Sequence, residues 1–68
     1  MNIRVIFSQT KDTKEIEIKP GSTLEDVLKK LNVKPDTVIT ISKNKPVPID
    51  DNVEDGQELT IIKVASGG

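Results

Sequence analysis

Pro20-Gly21-Ser22-Thr23-Leu24-Glu25-Asp26-Val27-Leu28-Lys29-Lys30-Leu31 is the stretch on which the architecture turns. Leu24, Val27, Leu28 and Leu31 recur at i, i+3, i+4 and i+7, the stripe of an amphipathic helix. Ser22 with Glu25, or Thr23 with Asp26, has the spacing of a capping box, and the second pair is preferred, which makes Thr23 the cap. Acids fill the first turn and Lys29 and Lys30 the last, as the helix dipole favours. These two lysines are read first as a solvated helix end. Pro20-Gly21 closes the segment before the helix, since proline cannot continue a ladder and glycine accepts a positive φ. Asn32 can end the helix. One helix with one apolar stripe calls for one sheet to cover it.

The residues on either side supply that sheet. Upstream, Ile3, Val5 and Phe7 alternate with Arg4 and Ile6, the period of a strand. Ser8-Gln9-Thr10-Lys11-Asp12 is a polar turn, and Lys14-Glu15-Ile16-Glu17-Ile18-Lys19 alternates again with Ile16 and Ile18 inward, so the two runs make a hairpin. Downstream, Lys34-Pro35-Asp36 leads into Thr37-Val38-Ile39-Thr40-Ile41-Ser42, a β-branched third strand. Val38 and Ile39 are adjacent, so the buried face is ambiguous there; Ile39 and Ile41 are favoured for it. Lys43-Asn44 is a tight turn, Asn44 tolerating the left-handed region. Pro46-Val47-Pro48 fits only a short edge segment, each proline lacking a donor. Asp50 to Gly56 is an acidic, turn-rich loop without calcium-loop spacing, read as solvated. Glu58-Leu59-Thr60-Ile61-Ile62-Lys63-Val64 is the last strand. The first and last strands are expected side by side in the middle of the sheet.

Composition narrows the function classes. The chain has 68 residues, which makes one small domain with a narrow stability margin. Ten basic and eleven acidic residues nearly cancel, and Phe7 is the only aromatic. Nucleic-acid binding needs a clustered basic face or a stacking platform, so it is not expected. Without cysteine or histidine there are no disulfides, thiol nucleophiles or thiolate metal sites, and no nucleophile–base pair is evident. No apolar run approaches the ~18 residues that span a bilayer, and no signal peptide is recognised at the start. The expectation is a cytoplasmic protein, monomeric when free, with no membrane contact.

The remaining feature is the tail, Ala65-Ser66-Gly67-Gly68. Glycine is the costliest residue to order and adds nothing to a core, but a Gly-Gly end can enter a channel that side chains would block. The chain therefore divides into a domain at 1–64 and a tail at 65–68. Two readings stand: the Gly68 carboxylate is a handle for an activating enzyme, or the tail is a frayed terminus. A partner surface is predicted beside it. If Leu59 and Ile61 fill the core, Ile62 and Val64 form an exposed apolar pair leading to the tail, a contact for a partner. The alternative is that Ile62 or Val64 completes the core.

The strand–strand–helix–strand order, the Pro20-Gly21-Ser22-Thr23-Leu24 helix entry, Pro46-Val47-Pro48, Asp55-Gly56 and Val64-Ala65-Ser66-Gly67-Gly68 together resemble the ubiquitin-like β-grasp family. Within it, the chain is most similar to the prokaryotic sulfur carriers of the MoaD and ThiS type and to the small archaeal modifier proteins. The resemblance implies an α+β fold, a mixed four- to five-stranded sheet packed on one helix. It implies a substrate rather than an enzyme: an E1-like partner spends ATP, with magnesium, to adenylate the C-terminal glycine, while the chain itself binds no cofactor. The adenylate becomes a thiocarboxylate, which gives its sulfur to a biosynthetic enzyme, or an isopeptide on a target lysine. By resemblance Gly68 is the reactive position, with Gly67 and Ser66 recognised as the tail. Asn44 stands where many relatives have glycine. Lys63 stands where MoaD-like chains often have proline, and ThiS-like chains commonly lack Ser66. The pattern leans toward the archaeal modifiers. The alternatives are a dedicated MoaD or ThiS carrier for molybdopterin or thiamine synthesis, and a ubiquitin-like binding module that is never conjugated.

Overall fold

The computed structural model describes residues 1–64. Its elements are β1 (Asn2–Phe7), β2 (Thr13–Glu17), α1 (Leu24–Lys30), β3 (Val38–Ser42), β4 (Lys45–Pro46) and β5 (Glu58–Lys63). They form one sheet in the order β2-β1-β5-β3-β4. β1 and β5 are parallel neighbours, Val5 opposite Leu59 and Phe7 opposite Ile61, while the other pairings are antiparallel. The first and last strands do lie together in the middle of the sheet, so the chain leaves the domain from a strand paired on both sides.

Helix α1 forms as its sequence requires. The Thr23 hydroxyl accepts from the Asp26 amide at 3.3 Å, and the Asp26 carboxylate accepts from the Thr23 amide at 3.0 Å, the reciprocal capping box. Leu24, Val27 and Leu28 are fully buried. Asn32 takes a φ of 59° just beyond the helix, the left-handed stop that asparagine accepts more readily than most residues. Replacing Thr23 by alanine should cost about 1 kcal/mol and lower the melting temperature by roughly 4–8 °C. Thr23→Ser should recover most of it. Equal losses in both variants, read by thermal unfolding, would mean that the cap hydroxyl is not the cause.

Ile3, Val5, Leu59 and Ile61 project from the two central strands onto Leu24, Val27 and Leu28. Ile18 and Val53 close the ends of this core. Val53 belongs to the acidic segment expected to be a solvated loop, and that loop is tied down more firmly than its composition suggests. The Val53 amide donates to the Ser22 carbonyl at 2.9 Å, and the Asn52 side chain donates to the Gly21 carbonyl at 2.8 Å. Asp55 accepts from the Asn2 amide at 2.8 Å, and the Gly56 amide donates back to the Asn2 carbonyl at 2.7 Å. The loop thus clamps the helix entry and the start of β1. Its acids are exposed, but its backbone is structural.

Three expectations need correction. Ile39 and Ile41 do not form the buried face of β3. Thr40 is the buried residue, at 4% exposure, and Ile39 is 46% exposed. The cause is register: β5 keeps Ile61 in the core, Ile61 faces Thr40, and Ile62 faces Ile39 across the pair. The strand also starts at Val38 rather than Thr37. Pro35–Thr37 is a 3₁₀ turn in which the Thr37 amide and hydroxyl both donate to the Lys34 carbonyl, at 3.1 and 2.7 Å. The edge strand β4 is short, as the prolines demand, and begins one residue earlier than expected, at Lys45. Lys43 and Asn44 both have positive φ, 53° and 65°, which matches a two-residue hairpin turn.

Candidate functional site

The predicted tail residues Ser66, Gly67 and Gly68 lie outside the described residues. The structure does place the root from which they leave. β5 ends at Lys63, and the Val64 amide extends the ladder by donating to the Thr37 carbonyl at 2.9 Å. The chain is therefore held by the sheet up to Val64, four residues before Gly68.

With Leu59 and Ile61 in the core, Thr60 and Ile62 turn to the opposite face of the sheet, which α1 does not cover. The register aligns that face in rows. Nearest the tail, Ile62 sits beside Ile39. In the next row Ile6, Thr60, Ile41 and Pro46 follow one another across four strands. Directly paired side chains in a sheet lie about 4.5–5.5 Å apart at Cβ, so these two rows are one patch. Ile62 and Val64, the predicted partner surface, are both half-buried and lie outside the core.

The third row is charged. Arg4 stands between Glu15 on β2 and Glu58 on β5, at 3.2 and 3.8 Å. All three side chains are about half exposed or more, and exposed pairs contribute roughly 0–1 kcal/mol each. Their stabilising role is small. They set a boundary: the outer face is apolar at the tail end and charged at the far end.

Sequence reasoning found Ile62 and missed Ile6, Ile39 and Ile41 as its companions. Local alternation gave no signal for the face of Val38-Ile39, which only the pairing with β5 decides. Among the described residues no group of acids could hold a metal ion, and no helix is long and apolar enough to cross a membrane.

The fold is shared with solved ubiquitin-like proteins. A ubiquitin of Caldiarchaeum subterraneum superposes with a TM-score of 0.80 over 100% of this chain and 98% of that one, at 23% identity. SAMP1 of Haloferax volcanii gives 0.77 over the full length of both, at 13% identity. These likenesses establish the ubiquitin-like β-grasp fold. The family model for small archaeal modifier protein 2 matches residues 1–65. The chain belongs to that family. Its members are described as small archaeal modifier proteins. An uncharacterized protein of Archaeoglobus fulgidus is 40% identical over 58 residues, covering 84% of this chain and 85% of that protein. The sulfur carrier protein TtuB of Thermus thermophilus is 30% identical over 57 residues, covering 84% and 88%. The chain is thus similar in sequence to a named sulfur carrier and in fold to ubiquitin-like proteins.

Proposed function

We propose that this small archaeal modifier is a protein tag and sulfur carrier whose Gly68 carboxylate is activated by an E1-like enzyme. The observation that carries the reading is the delivery of the Gly-Gly tail from the central strand β5, beside an uncovered apolar patch, in a chain of this family. A carboxylate ionises with a pKa of roughly 3.5 and is a poor electrophile at neutral pH. Its oxygen attacks the α-phosphorus of ATP, pyrophosphate leaves, and the acyl adenylate gains AMP as a good leaving group. Magnesium and positive charge for that step come from the partner. The outer sulfur of a partner's persulfide then displaces AMP to give an acyl disulfide. A second thiol of the partner cleaves it, releasing the thiocarboxylate and leaving a disulfide on the partner. Alternatively, a target lysine amine displaces AMP to give the isopeptide. Both routes share the Gly68 adenylate, and the chain offers no group that selects between them. The sulfur arm is supported by the likeness to TtuB, and the tagging arm by the family's description as modifiers. The reaction belongs in the cytoplasm, where ATP and the partner enzymes meet.

Mass spectrometry of the protein isolated from its host tests this. One fraction should carry sulfur in place of oxygen at Gly68. Another should be joined to lysines of other proteins, and because Lys63 is the last basic residue, trypsin should leave Val64-Ala65-Ser66-Gly67-Gly68 on those lysines. Thiocarboxylate alone would make the chain a dedicated carrier, remnants alone a dedicated modifier, and the absence of both would overturn the proposal and leave the tail a frayed terminus.

The patch around Ile62 is assigned to docking of the activating enzyme. Ile62→Asp should weaken that capture roughly tenfold or more, about 1.4 kcal/mol, while lowering stability by less, since Ile62 is outside the core. Titration calorimetry and thermal unfolding on one preparation separate the two. Unfolding without a binding defect in the folded fraction would argue against docking.

A further inference from the structure

A second surface lies on the opposite side of the tail root. Helix α1 has 7 residues and is about 10 Å long, whereas six-residue strands such as β5 extend for about 20 Å. The helix cannot cover the whole inner face. At the tail end an open groove of about 550 Å³ remains, its floor made by Phe7, Val33, Val38 and Ile61. Lys14, Lys34 and Lys63 stand on its rim, with Asp12 as the acid among the lining residues. The Lys14 ammonium is 5.9 Å from the centre of the Phe7 ring, within reach of a cation–π contact that holds it over the floor. None of the three lysines pairs with a carboxylate among the described residues.

The groove is locally cationic in a chain whose formal net charge is −1. Apart from Asp12, the acids lie outside its lining, among them Glu15 and Glu58 on the outer face and Asp50, Asp51, Glu54 and Asp55 in the loop at the other end of β5. An acidic ligand is repelled there and drawn to the groove. The volume falls within the ordinary range of ligand pockets, and the apolar floor under a charged rim calls for an occupant with both characters. Lys63 is also the residue before Val64, so any protein that takes the tail passes over this rim.

We infer that the groove docks a short acidic peptide segment bearing an aliphatic anchor, contributed by a protein that receives the tail. The anchor seats on Phe7, Val38 and Ile61, and its neighbouring carboxylates meet Lys14, Lys34 and Lys63. This rests on the reading of the tail as the reactive end, but the groove exists without it, so the two can be tested apart. Such a segment and the outer patch would grip the tail root from both faces.

The test is a titration of the isotope-labelled full chain, followed by amide chemical shifts, with a blocked peptide of two leucines followed by four glutamates. Saturable shifts are expected around Lys14, Val33, Lys34, Val38 and Lys63. Replacing the leucines by serines should weaken binding at least about tenfold, as should the double variant Lys34→Glu/Lys63→Glu. Raising salt from roughly 50 to 300 mM should weaken it several-fold. The proposal is overturned by shifts centred on Ile39 and Ile62, or by equal binding of a peptide with lysines in place of glutamates. It is overturned also by tighter binding of a single-stranded oligonucleotide at the same lysines, or by no saturation up to about 5 mM peptide. A chain that binds the peptide but is never activated at Gly68 would keep the groove and lose the tail reading.

Discussion

A chain ending at Gly67 will not be activated by the E1-like enzyme, and its melting temperature will not move. Both halves of that result follow from where the domain stops. Val64 makes the last described backbone hydrogen bond, to Thr37, and Gly68 lies four residues beyond it. Stability depends on burial and backbone pairing, so removing one terminal glycine takes nothing from the core. Activation depends on reach. The shortened chain still ends in a glycine carboxylate, but that carboxylate stops about 3.3–3.6 Å short of its proper place. Reacting atoms must approach to about 3–3.5 Å, and a misplacement of 1 Å is enough for a loss of roughly a hundredfold. A fall of at least that size in ATP–pyrophosphate exchange is therefore expected, with an unchanged unfolding curve. Gly67→Val keeps the length and tests the slenderness of the end: it should also fail, since a branched side chain is too wide for a channel fitted to a Gly-Gly end. Exchange at the full rate by the shortened chain would show that Gly68 is not the activated residue.

How far the sequence could carry this reading differs by element. The helix was legible because everything that specifies it is local: Thr23 and Asp26 are three apart, and the Leu24–Leu28 stripe needs no partner to be recognised. That β1 and β5 lie side by side followed from their two hydrophobic runs, while their parallel pairing came from the structure. The face of β3 was not legible. Val38, Ile39, Thr40 and Ile41 are all β-branched, so local alternation is nearly silent, and a threonine can occupy the inner position only because Ile61 opposite fixes the register. The same cause hid the size of the outer patch. Ile62 was visible in β5, whereas Ile39 and Ile41 joined it only once β3 had been turned over. The acidic loop misled in another way. Its composition reports on exposed side chains, while Val53, the Asn52 side chain and the Gly56 amide serve the core, the helix entry and the start of β1. The groove beneath Lys63 was also beyond reach, since it arises from the difference in length between α1 and the strands it covers.

Leu59→Ala will abolish most of the folding stability. Leu59 is fully buried on the central strand, opposite Val5 and among the residues that receive Leu24, Val27 and Leu28. Truncating such a leucine removes its transfer free energy and leaves a cavity, for a total of about 2–5 kcal/mol. A domain of 68 residues has only roughly 3–10 kcal/mol to lose, at 0.05–0.15 kcal/mol per residue. No disulfide offsets the loss, since the chain has no cysteine. The counterpart is Ile39→Ala, which deletes the same number of carbons from an isoleucine that is 46% exposed and should change stability by about 0.5 kcal/mol. Urea unfolding of the two variants beside the parent decides the matter. Leu59→Ala should bring the midpoint close to zero denaturant, or leave the chain partly unfolded in buffer, and Ile39→Ala should leave it nearly in place. Comparable losses in the two variants would mean that the outer face of the sheet carries as much of the fold as the inner one, and the division between core and docking surface would have to be given up.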